Sequence, residues 1–172
     1  MKNVIIALSI FVAIALEAVA ASTKPNDSKN SLWLNYLGAK GPGKGRHIVL
    51  IAADQEYRSE QSMPMLAKVL SKHHGFDCTV LFSVNEKGEV DPTMPAPFKD
   101  KTKRHNIPGL RLLAKADCVI WLSRFMHLPE EQMQHFYDYF DSGKPLIALR
   151  TANHGFWGGL QYKKGGKNVS LR

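Results

Sequence analysis

The chain has 172 residues, of which 44% are hydrophobic, enough for one domain with a core but not for two domains. Basic residues exceed acidic ones, and the formal net charge is +8. A nucleic-acid-binding protein would present a basic face with stacking aromatic residues on a recognised module. The sequence has no such module, so we expect no nucleic-acid partner and somewhat more affinity for acidic glycans or envelope surfaces.

Residues 1–20 have the pattern of a secretory signal peptide. Lys2 provides a positive start, residues 4–16 are an apolar run, and residues 18–20 read Ala-Val-Ala, a small-x-small cleavage site. The apolar run is shorter than a membrane-spanning helix. The sequence therefore predicts an exported protein, periplasmic or extracellular, with no stable membrane anchor after cleavage.

Residues 21–45 form a predicted extended leader, rich in small and polar residues. Its one apolar segment, residues 32–37, is expected to pack on the domain as an extended arm. The glycine-rich sequence at 41–45 is similar to a phosphate-binding loop only superficially. Such loops follow a strand and open a helix, whereas this sequence precedes a strand.

A continuous apolar run at residues 48–53 predicts the central strand of a parallel sheet, buried on both faces. An amphipathic helix is predicted shortly afterwards, capped by Ser59 or Ser62 and stopped by Gly75. Ligands of open parallel α/β sheets bind beyond the carboxyl ends of the strands, so the loop between strand and helix is the first candidate site. This loop contains Asp54, Glu56, Tyr57 and Arg58.

Three further strands are predicted, at residues 78–82, 117–122 and 146–149. The proline-rich segment 83–108 is predicted to be irregular. A helix that begins near Pro129 follows the third strand and is stopped by a glycine.

The two cysteines, Cys78 and Cys118, lie near the starts of the strands predicted to flank the central strand. Two strands separated by a third are about 9.6 Å apart, at the usual spacing of roughly 4.8 Å. The Cα atoms of a disulfide are rarely more than about 6.8 Å apart. The sequence therefore predicts two buried free thiols, although an oxidising compartment favours disulfides.

Polar and aromatic residues follow three of the predicted strands. Right-handed crossovers between parallel strands place these ends at one edge of the sheet. Two interpretations remain open at this point, a functional site and a set of surface salt bridges between arginines and acidic residues. The residues are Asp54, Glu56, Tyr57 and Arg58 after the central strand, Arg124 and Phe125 after the third, and Arg150, Thr151 and His154 after the fourth.

Several short motifs occur in order between Trp33 and Phe156. They include Asp54-Gln55-Glu56-Tyr57-Arg58, His74-Gly75-Phe76, Asn106-Ile107-Pro108-Gly109, Arg124-Phe125 and Arg150-Thr151-Ala152. In this combination the chain resembles the ThuA-like (trehalose utilisation) domain. The resemblance implies an α/β fold of the flavodoxin-like or class I glutamine amidotransferase-like kind, with a three-layer parallel sheet, and a role in the metabolism of trehalose-type sugars.

The same resemblance argues against one activity. In the amidotransferases, a strand similar to residues 145–149 ends in the nucleophilic cysteine, and Arg150 stands at that position here. Glutaminase chemistry therefore lacks its nucleophile. Thr151 with His154 as its base is an alternative nucleophile that the sequence leaves open.

Two classes of function follow. In an enzyme acting on sugars or related polyols, the catalytic candidates are Asp54, Glu56 and His154. In a non-catalytic carbohydrate-binding or scaffold domain, the same surface would bind without chemistry.

No metal site is predicted, although a metal held by His154 and carboxylates is a variant of the first class. Cofactor, reaction and oligomeric state are left open. The substrate-binding candidates are Tyr57, Arg58, Arg124, Phe125, Arg150 and Thr151.

The predicted ThuA-like α/β domain spans residues 46–157 and is expected to be partial. The sequence departs from the pattern of the family at residues 126–127 and around His154, and it ends earlier than the family does. Residues 158–172 are basic, have almost no apolar pattern and are predicted to be a disordered tail. These features favour a truncated or frameshifted end, an exposed edge of the sheet, and an inactive fragment as a further alternative.

Overall fold

The structure, a computed structural model, describes residues 32–157 and 161–169. The predicted signal peptide at residues 1–20 lies outside the described residues, as do the first part of the leader and both ends of the tail. Within the described part of the chain, none of the helices has the length and apolar character needed to cross a membrane.

The fold is α/β, with a five-stranded mixed sheet and helices on both of its faces. In chain order the strands are β1 (Trp33–Tyr36), β2 (His47–Ala53), β3 (Asp77–Phe82), β4 (Cys118–Ser123) and β5 (Leu146–Ala148). Their order across the sheet is β1-β3-β2-β4-β5. The α-helices are α1 (Ser59–His74) and α2 (Glu130–Asp141), and short 3₁₀ helices span Leu110–Lys115 and Arg150–His154.

Strand β2 is central, as predicted, and its alternate residues enter two separate cores. Val49 and Ile51 pack in the core that contains α2, whereas Ile48 and Leu50 pack in the core that contains α1. Because full burial of such a side chain contributes about 1.5 to 3 kcal/mol, both faces of this strand have to be apolar. This two-sided burial explains the continuous apolar run.

Helix α1 has the predicted extent but not the predicted cap. No side chain caps its first turn, and the Ser59 hydroxyl instead accepts a hydrogen bond from the backbone N–H of Asp54 at 2.8 Å. Gly75 ends the helix in the left-handed conformation, at φ 79°, which glycine adopts without steric cost. Met63 and Ala67 form the buried stripe that faces the sheet.

The expectation of a wholly parallel sheet is wrong, because β1 pairs antiparallel with β3. The apolar segment of the predicted leader is thus an edge strand of the sheet. The glycine-rich connection that follows packs against the end of α1, where a Cβ on Gly38 would lie 2.1 Å from the carbonyl oxygen of Gly75. A Cβ on Gly43 would meet the Phe76 ring at 2.4 Å. Close packing therefore explains why this segment is rich in glycine.

The cysteines are free and lie on the two strands that flank β2, since Ile48 is the register partner of both. Cys78 is buried, and burial raises the pKa of its thiol to about 12. The prediction of two buried thiols is wrong for Cys118, which is partly exposed. Cys118 lies at the first position of its strand, where the neighbouring elements cover the sheet less completely.

Residues 158–172 are predicted to be a disordered tail, but within the described residues 161–169 the chain forms a hairpin of β6 (Tyr162–Lys164) and β7 (Lys167–Val169). Tyr162 is buried, and its hydroxyl donates a hydrogen bond to the Met126 carbonyl at 2.9 Å. Lys164 forms an ion pair with Asp141 at the end of α2, at 2.6 Å. One aromatic side chain therefore anchors a segment whose sequence is otherwise polar.

The segment predicted to be irregular, residues 83–108, contains no helix or strand. Two buried histidines anchor its end. The backbone N–H of His127 donates to Nδ1 of His105 at 2.9 Å, and Arg104 contacts Nδ1 of His127 at 3.1 Å. Burial lowers the pKa of both histidines, that of His127 to about 4, and the charge of Arg104 adds to the effect there.

Acidification is therefore expected to destabilise the protein between pH 6.5 and about 4. Histidines of the unfolded chain take up protons near pH 6.5, whereas these two stay neutral in the fold. The unfolded state then binds more protons, so the free energy of unfolding falls as the pH falls. Urea unfolding at several pH values across this range measures the effect.

The variant His127→Asn keeps an acceptor for Arg104 but cannot titrate, so its free energy of unfolding should depend less steeply on pH. The exposed His73 provides the matched control, and His73→Asn should leave the dependence unchanged. An equally steep dependence in His127→Asn and the parent protein would contradict this account.

Candidate functional site

An open groove of about 450 Å³ lies at the carboxyl edge of the sheet. The loops after β2 and β4 and the 3₁₀ helix after β5 form its walls. Its chemistry is polar and aromatic, with two arginines, one glutamate, one histidine and two aromatic rings. The lining residues are Glu56, Tyr57, Arg124, Phe125, Arg150, Thr151, Asn153 and His154.

Asp54 lies behind the groove, with no exposed surface. Its carboxyl group accepts hydrogen bonds from the Thr151 hydroxyl and, at 3.3 Å, from the backbone N–H of Tyr57. Asp54 thereby joins the end of β2 to the 3₁₀ helix that follows β5. It positions two of the groove residues rather than facing the groove itself.

Arg150 and Tyr57 form a closely packed pair of a cation and an aromatic ring in the groove. The guanidinium carbon of Arg150 lies 3.9 Å from the centre of the Tyr57 ring. The hydrogen bond with Tyr57 raises the pKa of Arg150, and the charges of Asp54 and Glu56 raise it further. The stack and the hydrogen bond hold the guanidinium against the Tyr57 side chain at the surface of the groove.

The opposite wall contains an ion pair and a second stack. Arg124 forms a salt bridge with Glu56, and its guanidinium carbon lies 4.9 Å from the centre of the Phe125 ring. The Phe125 ring is in turn 4.9 Å from the His154 ring. The loop after β4 and the helix after β5 are joined by the Phe125 N–H, which donates to the His154 carbonyl at 3.0 Å.

Three residues other than glycine have a positive φ in the described part of the chain, and all three lie at this edge. They are Arg58 at 51°, Phe125 at 48° and Arg150 at 43°. Left-handed backbone is unfavourable for such side chains, and strain of this kind concentrates at active sites and ligand clamps. Two of the three, Phe125 and Arg150, line the groove.

The structure brings seven of the nine candidate site residues together around the groove. Asp54 acts from behind it, and Arg58 lies outside it, exposed at the start of α1. Asn153 lines the groove and is absent from the candidates. The signal that could have found it is its position as the next-to-last residue of the Arg150–His154 helix, within a run of candidates. The lining candidates are Glu56, Tyr57, Arg124, Phe125, Arg150, Thr151 and His154.

Two alternatives considered for this edge, a Thr151 nucleophile with His154 as its base and a metal ion held by His154 and carboxylates, find no support in the geometry of the described residues. The Thr151 hydroxyl donates to Asp54, so its proton is not directed to His154 as a base. Among residues 32–157 and 161–169, no three His, Cys, Asp or Glu side chains lie close enough together to hold a metal ion.

Comparisons with known proteins give no match that bears on the function. No model of a protein family matches the chain, and neither the curated proteins nor the solved structures contain a significant match.

Proposed function

We propose that the groove binds a sugar, and that the protein is an exported ThuA-like domain with a role in the metabolism of trehalose-type sugars. The observation that carries the binding proposal is the Arg150–Tyr57 stack at the convergent ends of β2 and β5. The exposed guanidinium N–H groups and the tyrosine hydroxyl of this pair suit a ligand with many hydroxyl groups.

The strand order supports a fold of the flavodoxin-like or amidotransferase-like kind. Strands β3, β2, β4 and β5 are parallel and adjacent in that order. Helix α1 packs on one face of the sheet and α2 on the other. Ligands of such sheets bind where strand connections leave in opposite directions, beyond the carboxyl ends of the strands. The groove lies at that place, beside the end of β2.

The carboxyl groups favour binding over catalysis. Asp54 is buried and accepts two hydrogen bonds, and Glu56 is paired with Arg124. A general acid or base has to reach the ligand, which Asp54 does not. If the protein is an enzyme, the groove leaves Glu56 and His154 as the groups that could transfer a proton.

Replacement of Arg150 by methionine is expected to weaken sugar binding by about tenfold or more, because the stacked N–H donors are lost. Folding should be nearly unaffected, since the side chain is exposed. Titration calorimetry with trehalose and with glucose measures the affinity, and urea unfolding measures the stability.

Arg58 provides the matched control, because it is also an exposed arginine at positive φ but lies outside the groove. The variant Arg58→Met should bind sugar as the parent protein does. If Arg150→Met binds normally, or if it unfolds far more easily than the parent protein, the residue has a structural role instead.

Export is the second part of the proposal, and it predicts a mature protein that begins at Ala21. The support is the sequence of residues 1–20, with its apolar run and small-x-small site. Expression of the full chain in a bacterium with secretion machinery, followed by intact-mass measurement, tests cleavage. A cytoplasmic protein that keeps residues 1–20 would contradict it.

A further inference from the structure

We propose that the ligand of the groove is an anionic sugar, one that carries a carboxylate or a phosphate group held by Arg150. This inference rests on the sugar-binding role proposed above and specifies the class of sugar.

The first observation is that Arg150 forms no salt bridge among the described residues, although the charges of Asp54 and Glu56 act on it from a longer distance. Arg124, the other arginine of the groove, forms a salt bridge with Glu56. Within residues 32–157 and 161–169, by contrast, no salt bridge involves Arg150. Asp54, which is buried behind the groove, accepts a hydrogen bond from the hydroxyl of Thr151. The charge of Arg150 is therefore available to a ligand.

The second observation is the position of this guanidinium. Its carbon lies 3.9 Å from the centre of the Tyr57 ring in the lining of the groove, and the side chain is exposed, so the N–H groups that do not bond to Tyr57 can reach a ligand. The fork of N–H donors matches the two oxygens of a carboxylate or a phosphate, and such charge-assisted bonds are about twice as strong as neutral ones. Sugar hydroxyl groups do not require this geometry.

The third observation is the balance of charge in the groove. Its lining contains two guanidinium groups, of Arg124 and Arg150, and one carboxylate, of Glu56. The lining therefore has one more positive than negative side chain, which favours an anion over a neutral ligand.

Calorimetric titration of the purified chain with a matched set of ligands tests the proposal. Glucose is the neutral member, glucuronate carries a carboxylate, and glucose 6-phosphate carries a phosphate. We expect at least one charged sugar to bind about tenfold tighter than glucose, as one bidentate charged contact provides. The tighter of the two identifies the anionic group. The preference should vanish in Arg150→Met and persist in Arg58→Met.

The outcomes separate this inference from the sugar-binding proposal. If glucose binds as tightly as both charged sugars, the ligand is a neutral sugar, so the inference fails and the proposed function stands. If no sugar binds, both fail. If free acetate or inorganic phosphate binds as tightly as the charged sugars, the groove is an anion site without sugar recognition, and the inference fails. If Arg58→Met and Arg150→Met reduce the preference for the charged sugar equally, the overall positive charge explains that preference, and the inference is overturned.

The variant Glu56→Gln provides a second measurement that does not depend on losing a contact. It releases Arg124 from its salt bridge, so a second guanidinium becomes available to the anion. The ratio of glucuronate affinity to glucose affinity should rise a few fold, which is the usual effect of one exposed ion pair. A fall in that ratio would overturn the inference.

Discussion

Replacement of Asp54 by alanine is expected to lower the free energy of unfolding by about 2 to 3 kcal/mol, because it leaves the buried Thr151 hydroxyl and the partly buried Tyr57 N–H without their acceptor. The Thr151 hydroxyl and the Tyr57 N–H both donate to this carboxyl group. Each unsatisfied buried group costs about 1 to 3 kcal/mol. Urea unfolding measures the loss. Sugar binding should fail as well, since Thr151 and Tyr57 line the groove.

Glu56 is the matched control for Asp54, because it is an acidic residue two positions away that is exposed and paired only with Arg124. Glu56→Ala should change the free energy of unfolding by no more than about 1 kcal/mol. The conservative variant Thr151→Val removes one of the two hydrogen bonds, so its cost should be smaller than that of Asp54→Ala. Equal costs for Asp54→Ala and Glu56→Ala would mean that Asp54 does not join the two elements as described.

Replacement of Phe136 by alanine is expected to cost about 3 to 5 kcal/mol, the usual range for a buried phenylalanine. The side chain is 2% exposed and lies on the sheet-facing side of α2. Its ring centre is 5.3 Å from that of Trp121 and 5.2 Å from that of Phe156. The lost contacts leave a cavity between α2 and β4. Denaturant unfolding followed by tryptophan fluorescence measures the cost.

Phe140 provides the comparison one turn further along the same helix. It is 37% exposed, so Phe140→Ala removes less buried area and should cost only about 1 kcal/mol. Similar costs for the two variants would contradict the packing of α2 on the sheet.

The sequence by itself determined the central strand, helix α1 and the edge at which the candidate residues meet. A strand buried on both faces has to be apolar throughout, so residues 48–53 are recognisable without neighbours. A helix that packs one face on a sheet repeats its apolar residues with the helical period, as Met63 and Ala67 do in α1. Parallel strands joined by right-handed crossovers have their carboxyl ends at one edge, which places Glu56 and Arg150 in one groove.

Only the tertiary structure decided which side chains of that edge face a ligand and which support them. Asp54 and Arg58 are both polar in the sequence. Asp54 is buried and accepts a hydrogen bond from Thr151, 97 residues away, whereas Arg58 is exposed but does not line the groove. The tertiary structure also decided that β1 and the β6–β7 hairpin form. A short edge strand and a single buried aromatic residue have no local pattern, because their stabilising partners, Leu81 and Met126, come from distant parts of the chain. Such long-range contacts form in the folded state and have no signature in local periodicity.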